Sequence, residues 1–166
     1  MKNFVTTAPL LFVALSAISY GQELEPSEEA VVKAQTQSHV EYYYSLYYER
    51  NEEALSTEIF SLPWFITSSS GITVRSTEKE NLEYFSSAIA GLLELGWDKS
   101  TFRTKNVCVF GSGSAIVSGT NTRTRADDSI ISVGGVSYVL GITDEGWRII
   151  SFTSHPPDKI VYCDAE

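Results

Sequence analysis

Ser114-Ala115-Ile116-Val117-Ser118-Gly119-Thr120-Asn121-Thr122-Arg123-Thr124-Arg125 is the stretch that decides the fold. Thr120, Thr122 and Thr124 alternate with Asn121, Arg123 and Arg125, the two-residue period of a strand. Gly111-Ser112-Gly113 precedes it and Ala126-Asp127-Asp128 follows, both chemistry for tight antiparallel turns. Working outward, the same period predicts strands over Thr101–Phe110, Ser129–Ile142 and Trp147–Ser154, the last two joined at Thr143-Asp144-Glu145-Gly146. Gly134-Gly135, inside a long strand, predicts a bulge or sharp bend. Beyond Pro156-Pro157-Asp158 a loop is expected, with one short strand at Ile160-Val161-Tyr162.

Upstream the period is helical. From Glu28 to Arg50, Val32, Thr36, His39, Val40, Tyr43, Leu46 and Tyr47 recur on one face. A second, short helix is expected over Asn51–Ile59, with Asn51 as its cap and Glu52 and Glu53 in its first turn. Pro63 forces a turn, and Pro63–Thr67 and Ile72–Arg75 read as a small hairpin around Ser68-Ser69-Ser70-Gly71. Thr77 and Glu80 open a third helix, with Leu82, Phe85, Ile89, Leu92 and Leu93 as its buried face and Gly96 ending it. The order of helices first and an antiparallel meander after makes the fold class α+β. Burying three helix faces calls for a curved antiparallel sheet folded over them as a cone with one open end.

The chain has 166 residues, of which 43% are hydrophobic and 20% charged, enough to build the core of one domain. Its net charge of −9 disfavours nucleic acid, whose phosphates are bound mainly by Lys and Arg. Residues 1–21 have the form of a signal peptide. Lys2 is the only charge before Glu23, Phe4 to Ile18 is an apolar run interrupted by Pro9, and Ser19 and Gly21 are small residues at a cut. The run is shorter than the roughly 20 residues that span a bilayer, so no membrane span is expected after cleavage. The expected division is a signal peptide at 1–21, an acidic lead-in at 22–28 and one domain at 29–166, with export to the periplasm or outside the cell. In an oxidising compartment Cys108 and Cys163 either form one bridge or remain two separate buried thiols.

Several residues carry a resemblance. They are the aromatic run Tyr42-Tyr43-Tyr44-Ser45-Leu46-Tyr47-Tyr48, the Leu62-Pro63 turn, Ala115–Arg123, Gly146-Trp147-Arg148-Ile149-Ile150 and His155-Pro156-Pro157-Asp158. With them the chain, from Glu28 to Asp158, resembles the nuclear-transport-factor-2-like (cystatin-like) superfamily. Ketosteroid isomerases, scytalone dehydratases and SnoaL-like polyketide cyclases share that fold. The resemblance implies the cone and is closest to a branch that does not look catalytic.

Of the isomerase chemistry, Tyr43 or Tyr47 supplies a phenol. No Asp occurs between Thr57 and Trp97, where the base would sit, and the acids among the sheet strands fall at turns. Dehydratase-like acid–base work would draw on His39, Tyr43, Tyr47 and Arg123. The plainer readings make His39 a packed helix residue and His155 an anchor for the Pro156-Pro157 tail. Arg123 and Arg125 share a strand face. Turned inward, an arginine there would mark an anion site; the plainer reading is an outward, solvated row. The expected pocket lining is His39, Tyr43, Tyr47, Trp64, Phe85 and Arg123, together with Tyr138, Trp147 and His155. No catalytic residue, cofactor or metal ligand set is assigned. A small, fairly apolar ligand or a protein partner is expected, with a homodimer through the outer sheet face. A cofactor-independent lyase, isomerase or cyclase acting on an apolar carbonyl compound is the rival. A third possibility is a structural subunit whose cone is filled by its own aromatics.

Overall fold

The computed structural model describes residues 24–163, so the expected signal peptide lies outside the described residues. The element order is α1 (Pro26–Glu49), α2 (Glu52–Thr57), β1 (Phe60–Ser68), β2 (Gly71–Arg75), α3 (Glu78–Glu94), β3 (Trp97–Gly111), β4 (Ser114–Arg125), β5 (Ile130–Thr143) and β6 (Gly146–His155). Pro26 and a capping box between Glu25 and Glu28 start α1, two residues earlier than its apolar period shows. Asn51 caps α2 by accepting from the Ala54 amide, and Thr77 caps α3 by accepting from Glu80. Gly96 follows α3 at φ +74°, the left-handed turn that glycine adopts without steric cost.

The six strands form one sheet in the order β2-β1-β6-β5-β4-β3, curled around the helices. Four neighbouring pairs are antiparallel, but β1 runs parallel to β6. The chain between them is long enough to return in either direction, so no hairpin dictates their polarity. The β1–β6 ladder is interrupted between Phe60 and Phe65, where Pro63 has no N–H to offer.

Three expectations are corrected. First, Leu82 and Leu93 lie exposed on α3, each at 41%. Asn81 takes the inward position with Phe85 and Ile89, because its side chain accepts from Trp64 Nε1 and donates to the Ser56 carbonyl. Second, Gly134-Gly135 is no bulge, since β5 stays in register with β4 through both residues. Glycine is required at 135 by close approach: a Cβ there would overlap the His155 imidazole on β6. Third, Ile160–Tyr162 is not a strand. The tail is tied across the sheet instead. Val161 N–H donates to Ser118 Oγ, Asn106 Nδ2 donates to the Val161 carbonyl, and Cys108 and Cys163 form a disulfide with Cα atoms 5.5 Å apart.

Aromatic rings occupy much of the space inside the curl. Tyr43 sits among Tyr44, Tyr47, Phe60, Phe85 and Tyr138, with edge-on centroid distances of 5.2–6.4 Å. Trp64 packs 4.1 Å from Phe60, and both Trp64 and Phe85 are fully buried. Offset and edge-on contacts of this kind add to the area that each ring removes from water.

Candidate functional site

The inner row of β4 passes from apolar to polar. Ala115 and Val117 are fully buried in the core, and Asn121 and Arg123 continue the same face by the two-residue period. The polar end opens into a chamber of about 60 Å³. Helix α1 supplies Tyr43, Tyr44 and Tyr47, α3 supplies Tyr84, and β5 supplies Val136 and Tyr138. Ser100, Phe152 and Ser154 complete the wall. The Tyr44 and Tyr138 hydroxyls are hydrogen-bonded at 2.8 Å, and Phe102 stacks on the Tyr44 ring at 5.2 Å.

Burial pushes the phenol pKa values of Tyr43, Tyr44, Tyr47, Tyr84 and Tyr138 up, because the phenolate would lose its hydration. Arg123, in the chamber wall, pulls four of them, Tyr44, Tyr47, Tyr84 and Tyr138, back towards the ordinary value, because its positive charge favours the phenolate. At neutral pH the wall therefore presents protonated hydroxyls and one cation. No ion pair among the described residues involves Arg123. Its Nε and the Asn121 Oδ1 are buried without any hydrogen-bond partner, as is Thr124 Oγ1. Each such group costs about 1–3 kcal/mol.

The structure divides the expected pocket lining. Tyr43, Tyr47, Arg123 and Tyr138 border the chamber. Trp64 and Phe85 are solid core and do not border it. Arg123 faces in, against the outward reading of its row, whereas Arg125 donates to the Leu95 carbonyl and Ser129 Oγ at the sheet end. His39 and Trp147 border a different, open groove of about 630 Å³ between α1 and the β5–β6 turn. There Trp147 Nε1 donates to Gln35 Oε1 and Arg148 pairs with Glu145. His155 lies on the opposite side of the sheet from the chamber. Its Nδ1–H donates to the Pro156 carbonyl, and its Nε2 accepts from Ser137, which is bonded to Ser118 under the tail. That is the anchoring role. Asn121 and Tyr84 are chamber residues that the sequence reading passed over. Asn121 had a signal: it is a polar side chain in phase with Ala115 and Val117.

His39 gives a pH prediction. Its Nε2–H donates to the Ile59 carbonyl at 3.0 Å. Burial holds its pKa below the ordinary 6.5, with the Ile59 bond opposing and Arg148 reinforcing the shift. The folded state therefore keeps His39 neutral while the unfolded chain protonates near pH 6.5. The stability this contributes is complete above that pH and is lost as pH falls towards the folded pKa. Urea melts at pH 7.5 and 5.5 are expected to show a drop that His39→Gln removes; an equal drop in the variant would assign it elsewhere.

A family model described as NTF2-like protein (DUF6841) matches residues 26–157. Among solved structures, an NTF2-like protein from Novosphingobium aromaticivorans is similar at 14% identity, covering 80% of this chain and 86% of its own, with a TM-score of 0.65. An NTF-2 like protein from Shewanella oneidensis has 16% identity, covers 74% of this chain and 98% of its own, and has a TM-score of 0.60. Aln2 from a Streptomyces species has 15% identity, covers 82% of this chain and 96% of its own, and has a TM-score of 0.62. At such identities the likeness is one of fold. Comparison with curated proteins finds no match.

Proposed function

The chain belongs to the NTF2-like protein family DUF6841, and since one fold can host unrelated activities, we propose its function from its own chamber: it is an exported, non-enzymatic protein that binds a small molecule there. One observation carries this reading. Among the described residues the chamber wall holds hydroxyls, an amide and a guanidinium, but no Asp, Glu or His. Lyase, isomerase or cyclase chemistry needs a positioned base, and the two histidines lie in other places. A ligand held by hydroxyls and a cation needs no base. At about 60 Å³ the chamber is well below the roughly 300–1,000 Å³ of drug-sized sites, so it takes a small ligand or one end of a longer one. The oxidised Cys108–Cys163 pair supports export.

Tyr47 tests the reading. Its ring is 7% exposed and packs edge-on against Tyr43 and Phe85. Tyr47→Phe keeps that packing and removes one hydroxyl from the chamber. Native mass spectrometry of protein purified from its own host is expected to show a small-molecule adduct. Tyr47→Phe is expected to weaken that adduct about threefold to tenfold, the worth of one hydrogen bond, with an unchanged melting temperature. If no molecule co-purifies and no small-molecule library perturbs the chamber tyrosines, the cone is a filled, structural core.

A further inference from the structure

We infer that the chamber is a monoanion site, built for a carboxylate head group gripped by the Arg123 guanidinium. This rests on the binding reading above and names the chemistry of its ligand. Among the described residues Arg123 is the only charged side chain in the chamber wall, in a protein whose net charge is −9. With acidic residues so abundant, a purely structural arginine would readily find one. Arg123 has none among the described residues, and its Nε is buried without a partner although the residue as a whole is only partly buried. A buried N–H left this way is costly until an acceptor reaches it.

The surroundings are of matching character. Tyr47, Tyr84, Ser100 and Ser154 bring hydroxyls to the same space, and in the Tyr44–Tyr138 pair one phenol donates to the other, leaving the second proton free. Among the described residues no carboxylate borders the chamber to compete for the guanidinium. The planar guanidinium fork matches a planar carboxylate through two parallel hydrogen bonds. A tetrahedral dianion would need more positive charge than one arginine supplies.

The test uses the oxidised mature protein at low salt with tyrosine ring carbons labelled for NMR. The probes are sodium acetate, its neutral isostere acetamide, and inorganic phosphate. Acetate is expected to shift the Tyr44, Tyr47 and Tyr138 signals and to bind at least tenfold more tightly than acetamide or phosphate. Arg123→Gln is expected to weaken acetate at least tenfold and acetamide far less, with the near-ultraviolet circular dichroism unchanged. Arg123→Lys, which keeps the charge and loses the fork, is expected to fall between, and it stands in if the glutamine variant does not fold. Acetate binding indifferent to both substitutions overturns the assignment, and so does tighter binding of phosphate. Acetamide binding without acetate binding sinks the anion assignment and leaves the small-molecule reading standing. Failure of every probe to move the chamber tyrosines sinks both.

Discussion

Trp64→Ala is expected to lower the free energy of unfolding by about 5 kcal/mol, a large share of the roughly 5–15 kcal/mol that holds an ordinary domain folded. Trp64 on β1 is fully buried, and its ring lies against Phe60, Phe85 and Phe152, with Tyr84 at its edge. Truncation removes that packing and opens a cavity that neighbouring rings, each fixed by others, can fill only in part. A second loss adds to the first. Trp64 Nε1 donates to Asn81 Oδ1 at 2.9 Å, and Asn81 is itself fully buried. Without the indole, that oxygen is left unpaired in the core, at about 1–3 kcal/mol. Trp64→Phe separates the two effects: it keeps an aromatic ring, loses the donor, and is expected to cost about half as much. Urea titrations read by circular dichroism measure both. A loss below about 2 kcal/mol for Trp64→Ala would mean that the core collapses onto the gap and that the aromatic cluster is more adaptable than its geometry indicates.

Breaking the Cys108–Cys163 bridge is the second large effect, at about 4 kcal/mol by the chain-entropy estimate for its sequence separation of 55. The bond holds the C-terminal tail against the outer side of the sheet, where Cys108, Ser118 and Ser137 are buried. Released, Val161 N–H leaves Ser118 Oγ and Asn106 loses the Val161 carbonyl, so water reaches the Ser118–Ser137–His155 chain. Cys163→Ser is expected to lower the melting temperature by roughly 10–15 °C and to speed amide exchange at Val161. Intact mass of protein recovered outside the cytoplasm is expected to show a chain starting at Gln22 and two hydrogens lighter than its reduced form. Two titratable thiols on the native protein, or equal melting with and without reductant, would contradict the prediction.

Part of the candidate site was legible because it lies on one helix. Tyr43 and Tyr47 are four residues apart, and α1 must present both to the same side wherever it packs. His39 shows the limit of that argument. It shares their stripe but sits one turn earlier, where α1 runs beside the β5–β6 turn instead of over the chamber. Trp64 and Phe85 are inward residues, as their places in the pattern imply. Whether an inward ring borders space or packs solid depends on what the opposing elements bring, and here Phe60, Tyr84 and Phe152 close the gap.

By itself the sequence determined the elements and their class: the helical stripe of α1, the caps at Asn51 and Thr77, the turn glycines, and the two-residue period from β3 to β6. These are local, since a period or a cap depends on residues a few positions apart. Tertiary structure alone decided the parallel pairing of β1 with β6, the inward turn of Arg123, the rotation of α3 that buries Asn81, the bridging of Cys108 and Cys163, and the fit of Gly135 against His155. Each depends on register between segments far apart in the chain. A two-residue period states that a strand has two faces but not which one meets the core, and a shift of one position exchanges them. Arg123 is on the inside because β4 pairs Val117 with Tyr138 and Arg123 with Ser132 on β5, a register set by the whole sheet closing over its aromatic core.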